Sequence, residues 1–135
     1  FNERFSQSFS VGMEKGCLMA DIDMKCNKGY KWRPIQSEYE LNESFNGEFD
    51  GAGHVLTNMY VNTKKCFAGF FGTFSGYIHD LTIMDSQIIC DTPQSTNSYY
   101  AGVGGLIGSC NSSSIYTLIA ERCGFEGTIQ KEYVL

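Results

Sequence analysis

Two aspartates near the start of the sequence have the spacing that some polysaccharide-cleaving enzymes use. Asp21 and Asp23 are separated by one residue in "ADID", so on a strand their carboxyl groups share one face, about 7 Å apart. Inverting glycosidases hold a general acid and a general base at about that separation. Asp50, in the turn sequence "FDGAGH" with His54, is a third candidate. One hypothesis is therefore a glycoside hydrolase or lyase that uses Asp21, Asp23 or Asp50.

These aspartates also fit a structural role, which we favour. Aspartate side chains bond to their own backbone in turns, and charged residues are common on the outer face of a strand. His79, Asp80 and Asp85 offer oxygen and nitrogen ligands for a cation, but the sequence lacks the spaced acidic loop of an EF-hand. It has no Cys-x-x-Cys pair and only two histidines. We therefore predict no catalytic activity, no metal site and no cofactor.

Aromatic residues offer a second kind of chemistry, the stacking of a sugar ring. Tyr30 and Trp32 lie close together in the sequence, and Tyr99 and Tyr100 are adjacent in a polar stretch. We expect Trp32 to pack over the end of the fold. For Tyr99 and Tyr100 we favour packing against the body of the domain, and a glycan-binding site stays open as the alternative.

The composition fits one compact secreted domain. The 135 residues are 42% hydrophobic, and the net charge of −5 argues against a nucleic-acid surface. No apolar run approaches the roughly 18 residues of a membrane-spanning helix. The chain opens "FNERFSQS", with neither Met nor a signal peptide, so we expect a mature or excised piece of a longer precursor. Two N-glycosylation sequons, at Asn42 and Asn111, agree with secretion.

Three segments share a spacing of inward residues that is typical of a β-solenoid. They start at Leu56, Ile78 and Ile115, and apolar residues recur three and five positions later in all three. In the last two segments, mostly apolar residues also recur eight and ten positions later. In the second segment this set is Ile78, Leu81, Ile83, Ser86 and Ile88. Steps of two keep side chains on one face of a strand, and each step of three marks a corner. We therefore predict coils of short parallel strands, with the three starting residues at equivalent positions.

The glycine-rich stretch "AGVGGLIGSC" at residues 101–110 belongs to the same pattern. A phosphate-binding loop would need a helix after it, whereas the following residues predict a turn and a strand. "AGFFGTFSG" at residues 68–76 is similar, so that Phe70-Phe71 matches Leu106-Ile107 and Gly72 matches Gly108. We expect these glycines to lie at corners, where they supply a positive φ or let neighbouring coils approach.

The predicted architecture has three parts. Residues 1–16 form an N-terminal cap or short helix, because Phe1, Phe5, Phe9 and Met13 recur every four positions. Residues 17–135 form an all-β parallel solenoid of about five irregular rungs. Within it, the polar segment at residues 90–100 predicts a protruding insertion loop.

The six cysteines indicate disulfide bonds and an oxidising compartment. Cys17 and Cys26 flank one predicted strand, and Cys66 and Cys90 fall near the same corner of adjacent coils. Cys110 and Cys123 remain as the third pair. Six cysteines allow many other pairings, so these three are predictions ordered by geometry alone.

The sequence resembles the GLUG motif, a repeat of secreted and cell-surface proteins. "GGLIG" followed by "SSSIYTLIAERCGFEGTI" carries the resemblance, and "ADID", "WRPI" and "FDGAGH" extend it upstream, over about residues 17 to 129. It implies a right-handed parallel β-helix of the kind found in adhesins and large surface proteins, usually without catalysis.

We therefore expect an extracellular structural or adhesive module. The alternatives are a carbohydrate-binding module and the polysaccharide-acting enzyme described above. The final run, Tyr133, Val134 and Leu135, predicts a strand with no cap after it, and an uncapped strand edge recruits another chain. The expected partners are identical copies or further domains of the parent chain, joined end to end, with glycans as a further class and no nucleic acid or membrane insertion.

Overall fold

The chain is built from twelve described strands joined by tight turns. The computed structural model describes residues 13–35, 45–64, 67–93, 102–110 and 118–134. In chain order the strands are β1 (Met13–Cys17), β2 (Ile22–Asp23), β3 (Phe45–Asp50), β4 (Val55–Thr57), β5 (Tyr60–Thr63), β6 (Phe67–Ala68), β7 (Phe71–His79), β8 (Thr82–Pro93), β9 (Gly102–Val103), β10 (Ile107–Cys110), β11 (Leu118–Glu121) and β12 (Gly124–Val134). These ranges contain no helix, which confirms the all-β prediction for them. It follows that no helix in this part of the chain could cross a membrane.

The strands form three sheets in which every named pair is parallel. Sheet 1 has the order β1-β3-β7-β10, with β11 also on β7; sheet 2 has the order β12-β8-β4-β2, with β5 also on β8; sheet 3 pairs β6 with β9. Four successive sets of described residues, called layers 1 to 4, each contribute to sheets 1 and 2: 13–32, 35 with 45–64, 67–93, and 102–110 with 118–134. The described strands therefore stack four deep, whereas the sequence predicted about five rungs.

Apolar side chains stack in register from layer to layer and form the core. In sheet 2, Ile22, Leu56, Ile83 and Phe125 pair in succession, and Val61 pairs with Ile88, which pairs with Ile129. In sheet 1, Phe49 pairs with Ile78. The residues in the middle layers are fully buried. Burial of this kind stabilises a fold by about 25 cal/mol per Å² of apolar surface, which makes these columns the main support of the strand stack.

The predicted inward set from Ile78 to Ile88 is confirmed, and so is the meaning of its three-residue steps. All five members are buried. Each three-residue step contains one residue in the left-handed conformation, Asp80 at φ 53° and Asp85 at φ 50°. Related corners use Lys25, Ala52, Asn58 and Arg122 in the same way. Non-glycine residues therefore turn these corners, and Asp and Asn tolerate this conformation better than most.

The glycines of "AGVGGLIG" serve close approach between chain segments. Ile107 pairs with Phe71, as the sequence comparison predicted. A Cβ on Gly102 would lie 2.1 Å from the Gly108 carbonyl oxygen, and one on Gly108 would lie 2.8 Å from the Ala68 nitrogen. A side chain at either position would therefore force backbone segments apart.

Trp32 packs inside the core. It is 4% exposed, its ring stacks on Phe70 at 5.0 Å, and its indole Nε1 donates a hydrogen bond to the Phe70 carbonyl oxygen at 3.0 Å. Phe49, Phe71 and Phe74 complete an aromatic cluster around this pair. A sugar platform formed by Trp32 is therefore excluded, because its ring faces are covered.

The predicted equivalence of Leu56, Ile78 and Ile115 is wrong by five positions. Leu56 pairs with Ile83, and Ala120 pairs with Ile78. The inward pattern repeats after five residues, since positions zero, five and ten and positions three and eight belong to the same set. A shift of five therefore leaves the pattern intact, and only strand pairing selects the register.

Two predicted boundaries also change. Residues 13–17, of which 13–16 were assigned to the cap, form β1 and pair with β3 along its length. Residues 90–93, assigned to the insertion loop, continue β8 and pair with β12 up to Pro93 and Val134. In both places backbone pairing with a neighbouring strand extends the sheet. The remainder of the cap (1–12) and of the loop (94–100) lies outside the described residues.

Candidate functional site

Four ionisable side chains meet where sheet 1 ends at a corner. This His79 cluster consists of Glu48 and Asp50 from β3, His79 at the end of β7, and Asp80 in the corner that follows. Nδ1 of His79 lies 2.7 Å from Asp80 Oδ2 and 3.5 Å from Asp50 Oδ1, and Nε2 lies 2.9 Å from Glu48 Oε1. His79 is 9% exposed. Carboxylates therefore surround a nearly buried imidazole on both of its nitrogen edges.

The geometry selects the protonated form of His79. Each ring nitrogen faces a carboxylate oxygen at hydrogen-bond distance, and a neutral imidazole has only one N–H to donate. The hydrogen bond to Asp80 raises the pKa of His79 most, and the bond to Glu48 raises it further, while desolvation by burial acts in the opposite direction. The hydrogen bond from His79 in turn lowers the pKa of Glu48.

Side chains of layer 4 extend this network. Arg122 holds Asp80 through two contacts, Nε to Oδ1 at 2.6 Å and Nη2 to Oδ2 at 3.1 Å. The Tyr77 ring stacks on His79 at 4.3 Å, and its hydroxyl donates to Glu121 Oε2 at 3.0 Å. Hydrogen bonds from Arg122 and then from His79 hold the pKa of Asp80 far below its usual value. The bond to Glu121 raises the pKa of Tyr77.

Strand register explains why these residues meet. Asp50 pairs with His79, which pairs with Glu121, and Glu48 pairs with Tyr77. Residues two apart on a strand share a face, so both rows project from the same side of sheet 1. Asp50, His79 and Asp80 were candidates from the sequence, whereas Glu48, Tyr77, Glu121 and Arg122 were not predicted. Only the correct strand register places these residues beside His79.

The arrangement does not by itself make a metal site. Asp50, His79 and Asp80 offer one ligand atom each within 4.8 Å of one another. However, His79 Nδ1 is already within hydrogen-bond distance of Asp80, and the Arg122 guanidinium balances that carboxylate. A cation would have to displace both positive charges. We therefore interpret the cluster as an ion-pair network that joins layers.

The three predicted catalytic aspartates each accept hydrogen bonds from turns or from a neighbouring layer. Asp21 Oδ1 accepts hydrogen bonds from the Val55 amide at 3.0 Å and from His54 at 3.1 Å, which lower its pKa in that order. Asp50, by contrast, contacts His79 and accepts a bond from the Ala52 amide at 2.7 Å. The described contacts therefore tie Asp21 and Asp50 to turns and to neighbouring layers.

Asp23 has a similar local role. Its Oδ1 accepts hydrogen bonds from the Asn58 side chain at 3.0 Å and from the Lys25 amide at 2.9 Å. These two bonds lower the pKa of Asp23, the one from Asn58 by more. Since Asn58 and Lys25 both have a positive φ, Asp23 holds a corner of layer 1 against the matching corner of layer 2.

Several predicted residues lie outside the described part of the chain. These are Tyr99, Tyr100, Asn42, Asn111, Cys66 and Leu135. Tyr133 and Val134 lie in β12, where their backbones pair with Thr92 and Pro93. Tyr30, the other residue of the proposed sugar platform, is exposed, although Trp32 beside it is buried.

The cysteines do not form the predicted Cys17–Cys26 bond in this structure. Both are free thiols, as is Cys123. Cys17 ends β1 in sheet 1 and its Sγ contacts the Leu18 carbonyl oxygen, whereas Cys26 follows β2 in sheet 2 and contacts that of Met24. The two residues belong to different sheets and each thiol faces its own local backbone. Since Cys123 is free, the predicted Cys110–Cys123 bond is not formed in this structure either. The pairing of Cys66 with Cys90 stays a prediction, because Cys66 lies outside the described part of the chain.

Comparison with known proteins finds one weak similarity. No family model matches the sequence, and no solved structure matches it significantly. A stretch of Halomucin from Haloquadratum walsbyi is 27% identical over an alignment of 126 residues. The match covers 74% of this chain. The chain spans 1% of the length of Halomucin. The likeness is therefore to one short piece of a much longer protein.

Proposed function

We propose that this chain is a structural module of a secreted or cell-surface protein, folded as a short right-handed β-solenoid of the GLUG-repeat type. The observation that carries the proposal is the in-register stacking of parallel strands over four layers, with apolar columns inside and left-handed residues at the corners. Such stacking makes a rigid rod from short repeats, and each layer needs only its neighbours for support.

The comparison supports an extracellular location. The relative is named as a mucin, and mucins act outside the cell. The two sequons agree with that location. Immunolabelling of intact, non-permeabilised source cells tests it: surface staining is expected, and signal only after permeabilisation would refute it.

We also propose that layer 4 is the end through which the module joins another copy or the next domain of its parent chain. β12 pairs with β8 along one edge and has no second partner among the described strands. Ile129 continues the column of Val61 and Ile88, both fully buried, yet is 48% exposed because no described layer follows it. A further strand on β12 would cover it.

Sedimentation velocity over a range of protein concentrations tests this association. The wild-type chain is expected to associate, and Ile129→Lys or removal of Tyr133 to Leu135 is expected to weaken association. Ile119→Lys is the matched control, because Ile119 is 47% exposed but pairs with Tyr77 on the outer row of sheet 1. A wild-type chain that stays monomeric at high concentration, or equal loss in both lysine variants, would contradict the proposed end-to-end contact.

A reducing-sugar assay on the same protein separates the structural module from the polysaccharide-acting enzyme. We expect no sugar release. Turnover that disappears on Asp→Asn substitution at Asp21, Asp23 or Asp50 would overturn the proposal.

A further inference from the structure

The His79 cluster ties together three of the four layers. His79 in layer 3 contacts Glu48 and Asp50 of layer 2, and its neighbour Asp80 is held by Arg122 of layer 4. The network therefore crosses two successive layer boundaries at one corner. The positive charges that contact its carboxylates are the His79 imidazolium, the Arg122 guanidinium and the Lys15 ammonium. Of these side-chain types, histidine is the one whose ordinary pKa lies near neutrality.

Each charged or titratable group described around His79 either favours its protonated form or is paired with another charged group. From β3, Glu48 and Asp50 favour the imidazolium, and from the corner after β7, Asp80 does so. Lys15 of β1 lies 3.5 Å from Glu48 and balances part of its charge.

From the layer 4 side, Glu121 and Arg122 contact each other at 3.3 Å. The Tyr77 ring stacks on the imidazole, and its hydroxyl donates to Glu121. Three carboxylates thus surround His79 directly, with two more distant cations beside them.

We propose that protonated His79 acts as a clamp that holds adjacent layers together. The domain is therefore most stable at mildly acidic pH and becomes less stable when His79 loses its charge. Without that proton, one ring nitrogen would present a lone pair to a carboxylate oxygen. The three carboxylates on the layer 2–layer 3 boundary would then repel one another with only Lys15 and Arg122 to offset them.

The sign of the pH dependence follows from the direction of each shift. The pKa of His79 is raised in the folded state, so its contribution is complete below the ordinary histidine value of about 6.5 and disappears as the pH rises through the raised value. The pKa values of Glu48 and Asp80 are lowered, so their contributions are complete above about pH 4.5 and disappear on acidification. The maximum of stability therefore lies between these two limbs.

Thermal unfolding followed by circular dichroism, at intervals from about pH 5 to about pH 9, tests the clamp. The wild-type melting temperature is expected to fall on the alkaline side, and His79→Gln is expected to flatten that fall. His54→Gln is the matched control: His54 meets one exposed carboxylate, Asp21, at 3.1 Å, so this variant should keep the wild-type slope. A wild-type alkaline fall that persists unchanged in His79→Gln would overturn the proposal.

A direct titration keeps the proposal testable even if His79→Gln does not fold. The chain has two histidines, so proton NMR of the wild-type imidazole resonances resolves both, and His54→Gln assigns them. The His79 midpoint is expected above the ordinary value of about 6.5. A midpoint at or below that value would show that the carboxylates do not hold the proton, and the clamp would be refuted.

Discussion

At Gly76 the spacing of the described strands predicts a large effect of a single substitution on stability. It lies in β7 with a φ of +120°, opposite Gly47 of β3. A Cβ at this position would lie 2.2 Å from the Gly47 carbonyl oxygen and 2.8 Å from the Gly47 nitrogen. Both are backbone atoms of a paired strand, so neither can move without disturbing the ladder. Gly76→Ala therefore combines a strained backbone with a steric clash.

The expected cost follows from these two terms. A non-glycine residue with left-handed φ costs about 1–2 kcal/mol, and overpacking against a fixed neighbour costs about 1–3 kcal/mol. Loss of glycine's freedom in the unfolded chain offsets about 0.4–1 kcal/mol. We expect the free energy of unfolding to fall by about 1–4.5 kcal/mol, a large share of the roughly 5–15 kcal/mol of a typical domain.

Two other glycines separate the cost of backbone strain from the cost of the steric clash. Gly53 has a φ of +75° with nothing within 4 Å of an added Cβ, so Gly53→Ala should show the backbone strain alone, about 1 kcal/mol. Gly124 has no positive φ, and its nearest atoms are 3.9 Å away on the Thr82 side chain. Gly124→Ala should leave stability unchanged or raise it slightly.

Guanidinium unfolding followed by circular dichroism measures all three variants. The expected order of stability is Gly124→Ala, then Gly53→Ala, then Gly76→Ala. If Gly76→Ala proves as stable as Gly53→Ala, then β3 and β7 do not approach as closely as the structure places them, and the reasoning fails.

Two further predictions concern the core. Ile88→Ala removes a fully buried column residue and should lower the free energy of unfolding by about 2–5 kcal/mol, while Ile119→Ala, half exposed on the outer row, should cost less than about 1 kcal/mol; equal losses in denaturant unfolding would contradict the assigned faces. Trp32→Phe loses the hydrogen bond to the Phe70 carbonyl oxygen, about 0.5–1.5 kcal/mol, together with some packing; thermal unfolding indistinguishable from wild type would show that Trp32 is not held in this way.

Local pattern was enough to predict which side chains face inward around the middle layers. The steps of two and three from Ile78 to Ile88 follow directly from strand geometry and from corners that each consume one extra residue. The match of Phe71 with Ile107 was also predictable, because glycines flank both pairs and allow only one sensible alignment. These features depend on short stretches of chain, where the sequence carries the relevant information.

Register between distant segments was not predictable, and the site depends on it. The inward pattern is unchanged by a shift of five residues, so hydrophobicity alone could not choose between pairing Leu56 with Ile78 and pairing it with Ile83. Backbone hydrogen bonds along whole strands make that choice, since each bond requires both partners at once.

The sequence by itself therefore determined the all-β class, the inward faces and the residues suited to corners. Only the tertiary structure decided that Glu48 and Asp50 meet His79, and that Arg122 meets Asp80. Electrostatic contacts act over a few ångströms, and these partners are tens of residues apart in the chain. Parallel stacking of the layers brings them within that range and thereby creates a charged network that no local sequence pattern predicts.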